Sequence, residues 1–240
     1  MKNKKIIMTG GSGRFAKVFK KINQKEKIFY PSKKNLDINN INSVRRYIKK
    51  IKPDYLIHCA ALSRPMNIHE KNINKSISTN IIGTANIVKI CSQEKIKLIY
   101  FSTNYVYPGK KGNYRENDPV LPINNYAISK LGGECAVQMY KNSLILRICM
   151  TEKPFLHKKA FEDVRMNFMF HEELAKNLLK LINLKGIINI GGPTQTVFKF
   201  ARQTNKKTIK ISAKKMFGKN FPLNQSMNIS KYTKFIKSKL

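Results

Sequence analysis

An apolar pentapeptide that runs straight into glycines sets the terms for this chain. Lys5-Ile6-Ile7-Met8-Thr9 reads as a short buried strand, Gly10-Gly11-Ser12-Gly13 follows at once, and Arg14 to Phe19 has helical spacing. Strand, glycine turn and helix in that order open a β-α alternation, and the alternation continues. Lys27 to Tyr30 is predicted as a second strand. Asn42 to Ile51 is predicted as a helix with Val44, Tyr47, Ile48 and Ile51 on one face, and Pro53 to His58 enters a third strand. Ile77 to Glu94 reads as a long helix, Lys97 to Ser102 as a strand, Asn124 to Lys141 as a helix and Ser143 to Cys149 as a strand. Apolar strands separated by helices imply a parallel sheet covered on both faces.

After about residue 150 the pattern loosens. Glu152 to Val164 has no clear period, Glu172 to Leu184 is a good helix, Gly186 to Gly191 is strand-like, and Thr196 to Gln203 suits a short helix. The expected class is α/β: a Rossmann-type, doubly wound parallel sheet over residues 1–150, with a small C-terminal substrate lobe, 151–240, packed on it.

Composition narrows the function classes. A chain of 240 residues with 42% hydrophobic content can bury a core, and no apolar run approaches the roughly 20 residues that cross a bilayer. No membrane association is expected. The positive start ends in only Ile6-Ile7-Met8 before the glycines, so no export signal is expected either. Cys59, Cys91, Cys135 and Cys149 lie far apart, each in an apolar neighbourhood, as reduced thiols of a cytoplasmic protein do. The formal charge of +34 raises nucleic acid as a partner, but the lysine pairs are spread along the chain with no arginine-rich helix or basic-aromatic signature. That distribution reads as a solvated surface, so no nucleic acid partner is expected; the field would still steer an anionic ligand. The four histidines have no metal-ligand spacing with one another or with the cysteines, so no metal is expected.

Two segments carry chemistry. Gly10-x-x-Gly13-x-x-Ala16 lies between strand and helix, where free backbone N–H groups and the helix dipole suit a pyrophosphate. Tyr126 and Lys130 are four apart and so share one helix face. A tyrosine hydroxyl can exchange a proton with a carbonyl or alcohol oxygen if a neighbouring ammonium lowers its pKa. Ser102-Thr103 closes a strand, at the end where parallel sheets bind ligands.

TGGSGRFA, HCAA at 58–61, STNYVYPG at 102–109 and YAISK at 126–130, in that order, resemble the extended short-chain dehydrogenase/reductases that act on nucleotide sugars. Within them the chain is most similar to the dTDP-4-dehydrorhamnose reductases. The resemblance implies an oxidoreductase in which Thr103 orients the keto or hydroxyl oxygen, Tyr126 is the acid/base, and Lys130 holds the nicotinamide ribose and lowers the tyrosine pKa. It places Gly10, Gly13, Arg14 and Phe15 at the pyrophosphate, Asp37 and Ile38 at the adenine, Cys59, Ala60 and Ala61 along the dinucleotide, and Asn80, in the long helix, among the cofactor-binding residues. Asn104 and Tyr105 fall beside Thr103 as substrate contacts.

The second strand ends in Tyr30-Pro31-Ser32-Lys33-Lys34, without the carboxylate that would bind a ribose 2′-OH. Ser32 and Lys33 therefore suit a 2′-phosphate: NADP(H) is preferred and NAD(H) possible. Keto reduction on a nucleotide-activated sugar, in deoxysugar synthesis for surface polysaccharide, is the expected activity, and a homodimer is possible. The alternatives are a nucleotide-sugar epimerase or dehydratase of the same family, toward which Asn104, Tyr107 and Pro108 lean, and a non-catalytic dinucleotide-binding regulatory subunit.

Overall fold

A computed structural model describes residues 4–238; the positive N-terminal residues and the outermost ends of the two expected domains lie outside the described residues. Six parallel strands form the central sheet: β1 Ile6–Thr9, β2 Ile28–Phe29, β3 Tyr55–His58, β4 Lys97–Thr103, β5 Ser143–Ile148 and β6 Gly186–Ile190. Their spatial order is 2-1-3-4-5-6, so the winding reverses between β1 and β3. The carboxyl ends of those two strands flank the crevice in which doubly wound sheets take their ligands.

Strand alternation sorts the side chains between two helical layers. Ile6, Met8, Ile57, Ile99, Phe101, Leu144 and Leu146 pack against α1 (Arg14–Ile22) and α5 (His171–Leu181), through Phe15, Phe19, Leu174 and Leu178. On the opposite face Ile7, Leu56, Leu98, Tyr100 and Ile145 meet Val44 and Ile48 of α2 (Ile41–Ile51). Ile87, Ile90 and Cys91 of α3 (Gly83–Gln93) and Val137 of α4 (Asn125–Gln138) complete that layer. The fully apolar strands expected of a sheet covered on both sides are thus what the fold buries.

The expected helix over 77–94 is divided. Ile77–Ile82 forms a wider π-helical turn before α3 continues, and the Thr84 hydroxyl donates to the Asn80 carbonyl at 2.8 Å. Gly133 of α4 lies against this turn: a Cβ there would come within 2.5 Å of the Asn80 carbonyl and 2.6 Å of the Tyr100 hydroxyl.

Beyond β5 the chain leaves the sheet, returns for α5 and β6, and leaves again. Strand β6 pairs in parallel with β5 from Gly186↔Leu144 to Ile190↔Ile148, so the stretch from 151 onward contributes to the sheet as well as to the lobe. A third apolar cluster buries Phe155, Ala160, Val164, Met166, Val197, Phe200 and Met227 together with Val106, Tyr107, Tyr114 and Cys149, so it is shared between the lobe and the chain before residue 150. Two- and three-residue strand pairs hold the lobe, Lys159–Phe161 beside Ile209–Ile211 and Arg165–Met166 beside Gln195–Thr196. Three cysteines follow the expected apolar placement, but Cys135 is exposed on α4; all four are free thiols. Among the described residues no helix is long and apolar enough to cross a membrane.

Candidate active site

The glycine turn is built by close approach. Gly10 has φ +72°, and a Cβ there would lie 2.9 Å from the Ala60 nitrogen; one on Gly11 would lie 2.6 Å from the Tyr30 carbonyl carbon. The turn is therefore wedged between the ends of β3 and β2, which only glycine permits. Gly13 N–H donates to the Gly10 carbonyl at 2.8 Å, and Gly13 caps α1 without any side-chain hydrogen bond to the helix. The first N–H groups of α1 stay free for an anion.

A cavity of about 1,450 Å³ opens from this turn along the carboxyl ends of the strands and under the lobe. Typical small-molecule pockets hold roughly 300–1,000 Å³, so two ligands fit side by side. Gly10, Gly13, Arg14, Phe15, Lys33, Asp37, Ile38, Cys59, Ala60 and Ala61 line it, as do Thr103, Asn104, Tyr105, Tyr126 and Lys130. Two expected residues do not. Ser32 is exposed outside the wall, its carbonyl accepting from Asn35 and Leu36, while Pro31 and Lys33 on either side line the cavity. Lys33 is 3.9 Å from the Asp37 carboxylate.

Asn80 is the other departure. Its buried amide donates to the Leu62 carbonyl at 2.9 Å and the Ser129 hydroxyl at 2.8 Å, and its oxygen accepts from Leu62 N–H at 2.8 Å. With both amide hydrogens taken, Asn80 ties the loop after β3 to α4 and stays out of the cavity wall. Ser129 in turn donates to the Tyr126 carbonyl at 2.8 Å, and Asn124 caps α4 by accepting from Ala127 N–H at 2.8 Å. The turn that carries Tyr126 is thereby fixed from three directions.

Burial raises the Tyr126 pKa; hydrogen bonding with Thr103 and the charge of Arg64 oppose the rise without reversing it. Desolvation is the largest of the influences on the phenol. Lys130 is 3% exposed, and burial lowers its amine to about 7 against weaker raising effects from Cys59 and Glu134. Its Nζ lies 4.2 Å from the Tyr100 ring centre, a cation-π contact that retains some preference for the ammonium. His58, bonded to the Thr9 and Thr84 hydroxyls at 2.7 and 3.1 Å, is driven by burial down to about 3 and stays neutral.

The far wall comes from residues that carried no sequence signal. The Glu152 carboxylate accepts from Arg14 at 2.6 Å and Arg64 at 3.3 Å, bridging the glycine-turn helix, the loop after β3 and the lobe. His157, Lys158 and Lys159 add basic groups, and Phe155, Phe161 and Phe221 an apolar wall, toward the lobe end. No spacing in the sequence marks this set, because its members meet through tertiary folding.

The sequence matches the family described as the RmlD substrate binding domain over residues 4–181. It is 29% identical over 184 residues to methionine adenosyltransferase 2 subunit beta of Bos taurus, covering 73% of this chain and 54% of that protein. It is 26% identical over 200 residues to a dTDP-4-dehydrorhamnose reductase of Aggregatibacter actinomycetemcomitans, covering 79% and 63%. The matched segments thus span about half to two thirds of these relatives. Among solved structures, the dTDP-4-dehydrorhamnose reductase of Bacillus anthracis in complex with NADP superposes with a TM-score of 0.85 at 24% identity, covering 96% of this chain and 92% of that one.

Proposed function

The chain belongs to the RmlD substrate-binding-domain family, and from that premise we propose that it is an NADP(H)-preferring reductase of a keto group on a nucleotide-activated sugar. The observation that carries the reading is the convergence of Thr103, Tyr126 and Lys130 with the glycine turn on one cavity large enough for two ligands. The glycine cradle, which a Cβ would fill, and the uncapped start of α1 suit a pyrophosphate. Leu36 and Ile38 offer the adenine an apolar wall, and Lys33 on the same wall offers a cation to a 2′-phosphate.

When bound, the dinucleotide supplies hydride to the carbonyl carbon of the sugar. Tyr126 delivers the proton to the carbonyl oxygen as that bond becomes an alcohol, and Thr103 holds the oxygen beside the phenol. The raised Tyr126 pKa keeps the phenol protonated at neutral pH, the form a reduction requires. Arg14, Arg64, Lys158 and Lys159 surround the cavity with positive charge suited to two phosphorylated ligands.

NADPH oxidation, followed by absorbance with a panel of nucleotide-linked 4-keto sugars, tests the reading. Turnover with one of them is the expected result; NADPH binding without turnover of any favours the regulatory-subunit reading, which the similarity to methionine adenosyltransferase 2 subunit beta supports. A homodimer through the face where Ile77, Ile82 and Ile128 are exposed is part of the proposal, as is a cytoplasmic setting in polysaccharide synthesis.

Two further outcomes are expected. Lys130 loses its proton near pH 7 in the fold and near 10.4 when unfolded. Between those values the unfolded chain holds one more proton, so this group's contribution to stability rises with pH across that window. A ligand that needs the ammonium behaves oppositely: NADPH affinity should fall by up to about tenfold per pH unit above 7. Fluorescence titration at several pH values reads this, and Lys130→Met should remove the dependence. Glu152→Gln releases Arg14 and Arg64 to the cofactor phosphates, and should tighten NADPH binding by about two- to fivefold in the same titration.

A further inference from the structure

Buried polar atoms without a partner are few in a folded protein, and each asks for an explanation. His69 holds one of them. The residue is fully buried in the short helical turn Ile68–Lys71, on the segment after β3, and its Nε2 has no partner among the described residues. A phenylalanine would fill the same space with no polar atom to satisfy, so the imidazole brings something that an apolar ring does not.

What it brings is an anchored ring. Its Nδ1 is hydrogen-bonded to the hydroxyl of buried Ser76, at the end of the next turn, Ile73–Ser76. The backbone is held as well: His69 N–H donates to the Met66 carbonyl at 3.2 Å, and the Asn125 amide donates to the His69 carbonyl at 3.4 Å and to the Glu70 carboxylate at 2.5 Å. Asn125 is the first residue of α4 and Tyr126 the second. The segment tied to the start of α4 by Asn125 meets it again through the rings, His69 and Tyr126 lying 5.2 Å apart between centres at 58°. That separation is a contact for two aromatic rings. Burial lowers the His69 pKa against the opposing charge of Glu70, so the ring is neutral at neutral pH and puts no cation beside the phenol.

The bonds from Asn124 and Ser129 fix the backbone of Tyr126, but a helical tyrosine still has two favoured χ1 rotamers. Its hydroxyl, hydrogen-bonded with Thr103, needs a side-chain contact to stay in one of them. Tyr105 supplies one ring contact at 6.3 Å, and His69 supplies the closer one.

We infer that His69 is a positioning residue for the acid/base tyrosine: anchored to Ser76, its ring holds the Tyr126 ring in the rotamer that brings the phenol to Thr103. The inference rests on the reductase reading and adds to it a residue outside the sequence motifs and outside the wall of the large cavity.

Ser76→Ala removes the anchor and leaves both rings in place. Displacing a reacting group by about 1 Å can cost about 10²-fold, so this looser ring should lower kcat for NADPH-dependent reduction by about five- to twentyfold. KM and NADPH affinity should stay unchanged, which shows that the variant is folded. His69→Phe keeps a ring and loses the anchor, and should behave in the same way. The two together should lose no more than either alone, because they remove one interaction. Placed in a Tyr126→Phe background, neither should lower the residual rate further, since no hydroxyl is left to aim; a merely structural role would lower the rate in both backgrounds. A readout independent of turnover is the NMR signal of the phenol carbon in isotopically labelled tyrosine, assigned to Tyr126 by its loss in Tyr126→Phe. It should be one line in the wild type and should shift or divide in Ser76→Ala.

An unmoved signal or an unchanged kcat in Ser76→Ala overturns the inference and leaves the reductase reading standing, as does a loss of equal size in the Tyr126→Phe background. A wild-type protein that binds NADPH and turns over no keto sugar overturns the reductase reading itself, and the inference with it.

Discussion

Replacing Tyr126 with phenylalanine should lower turnover by about 10²–10⁴-fold while leaving NADPH affinity unchanged, the range that a positioned general acid contributes. The substitution is conservative in shape. The ring packs against His69 at 5.2 Å and Tyr105 at 6.3 Å between centres, and Phe keeps both contacts. Its helix turn is held by Asn124 and Ser129 through backbone atoms that the substitution does not touch. Only the phenol hydroxyl is removed, with its proton and its hydrogen bond to Thr103.

The direction of the Tyr126 shift adds a second readout. Because burial raises the phenol, it stays protonated through neutrality, so reduction should not be limited by its titration there. The reverse oxidation needs the phenolate and should accelerate as pH rises. Steady-state rates in both directions across pH check the pair of statements. A loss below about fivefold in Tyr126→Phe would assign the proton to another group.

The central sheet was legible because its strands are apolar on both faces and its helices keep one apolar stripe, and both patterns are local. Val44 and Ile48 are buried as their spacing requires, and Gly10 stands at the one backbone position in the turn with positive φ. The place of β6 was not legible as a neighbour of β5, since a strand's own residues do not name its partner. The lobe resisted for a different reason. Its strands are two or three residues long, too short for a period, and the apolar cluster it shares is closed by residues as far apart as Phe155 and Met227. Arg64, Glu152 and Gln225 reach the cavity from three separate segments, and no spacing rule connects them. Lys130 was found by its spacing from Tyr126, but the burial that lowers its amine to about 7 is a property of the folded environment and leaves no spacing signal.

The largest stability effect is expected below the site. Glu134 and Arg147 are 0% and 3% exposed, and Glu134 accepts from Arg147 at 2.6 and 3.1 Å and from the Ser102 hydroxyl at 2.5 Å. Arg147 also donates to the Tyr107 hydroxyl at 2.8 Å and the Glu116 carbonyl at 3.0 Å; Tyr107 donates onward to Asn189 at 2.9 Å. This network joins α4, β4, β5 and β6 directly behind Thr103. Truncating one member of a buried ion pair leaves the other charged and unpaired, at a cost of about 3–5 kcal/mol. Arg147→Met should therefore lower the melting temperature by about 6–20 °C for a chain of this size. Removing both charges removes most of that penalty, so Glu134→Leu combined with Arg147→Met should recover much of the loss, measured by calorimetry on the two singles and the double. The Ser102 hydroxyl then loses its acceptor one residue from Thr103, so the double variant should melt near the wild type yet reduce substrate more slowly. Equal melting of the single and double variants would show that the shape of the Arg147 side chain, and not its charge pair, holds the strands together.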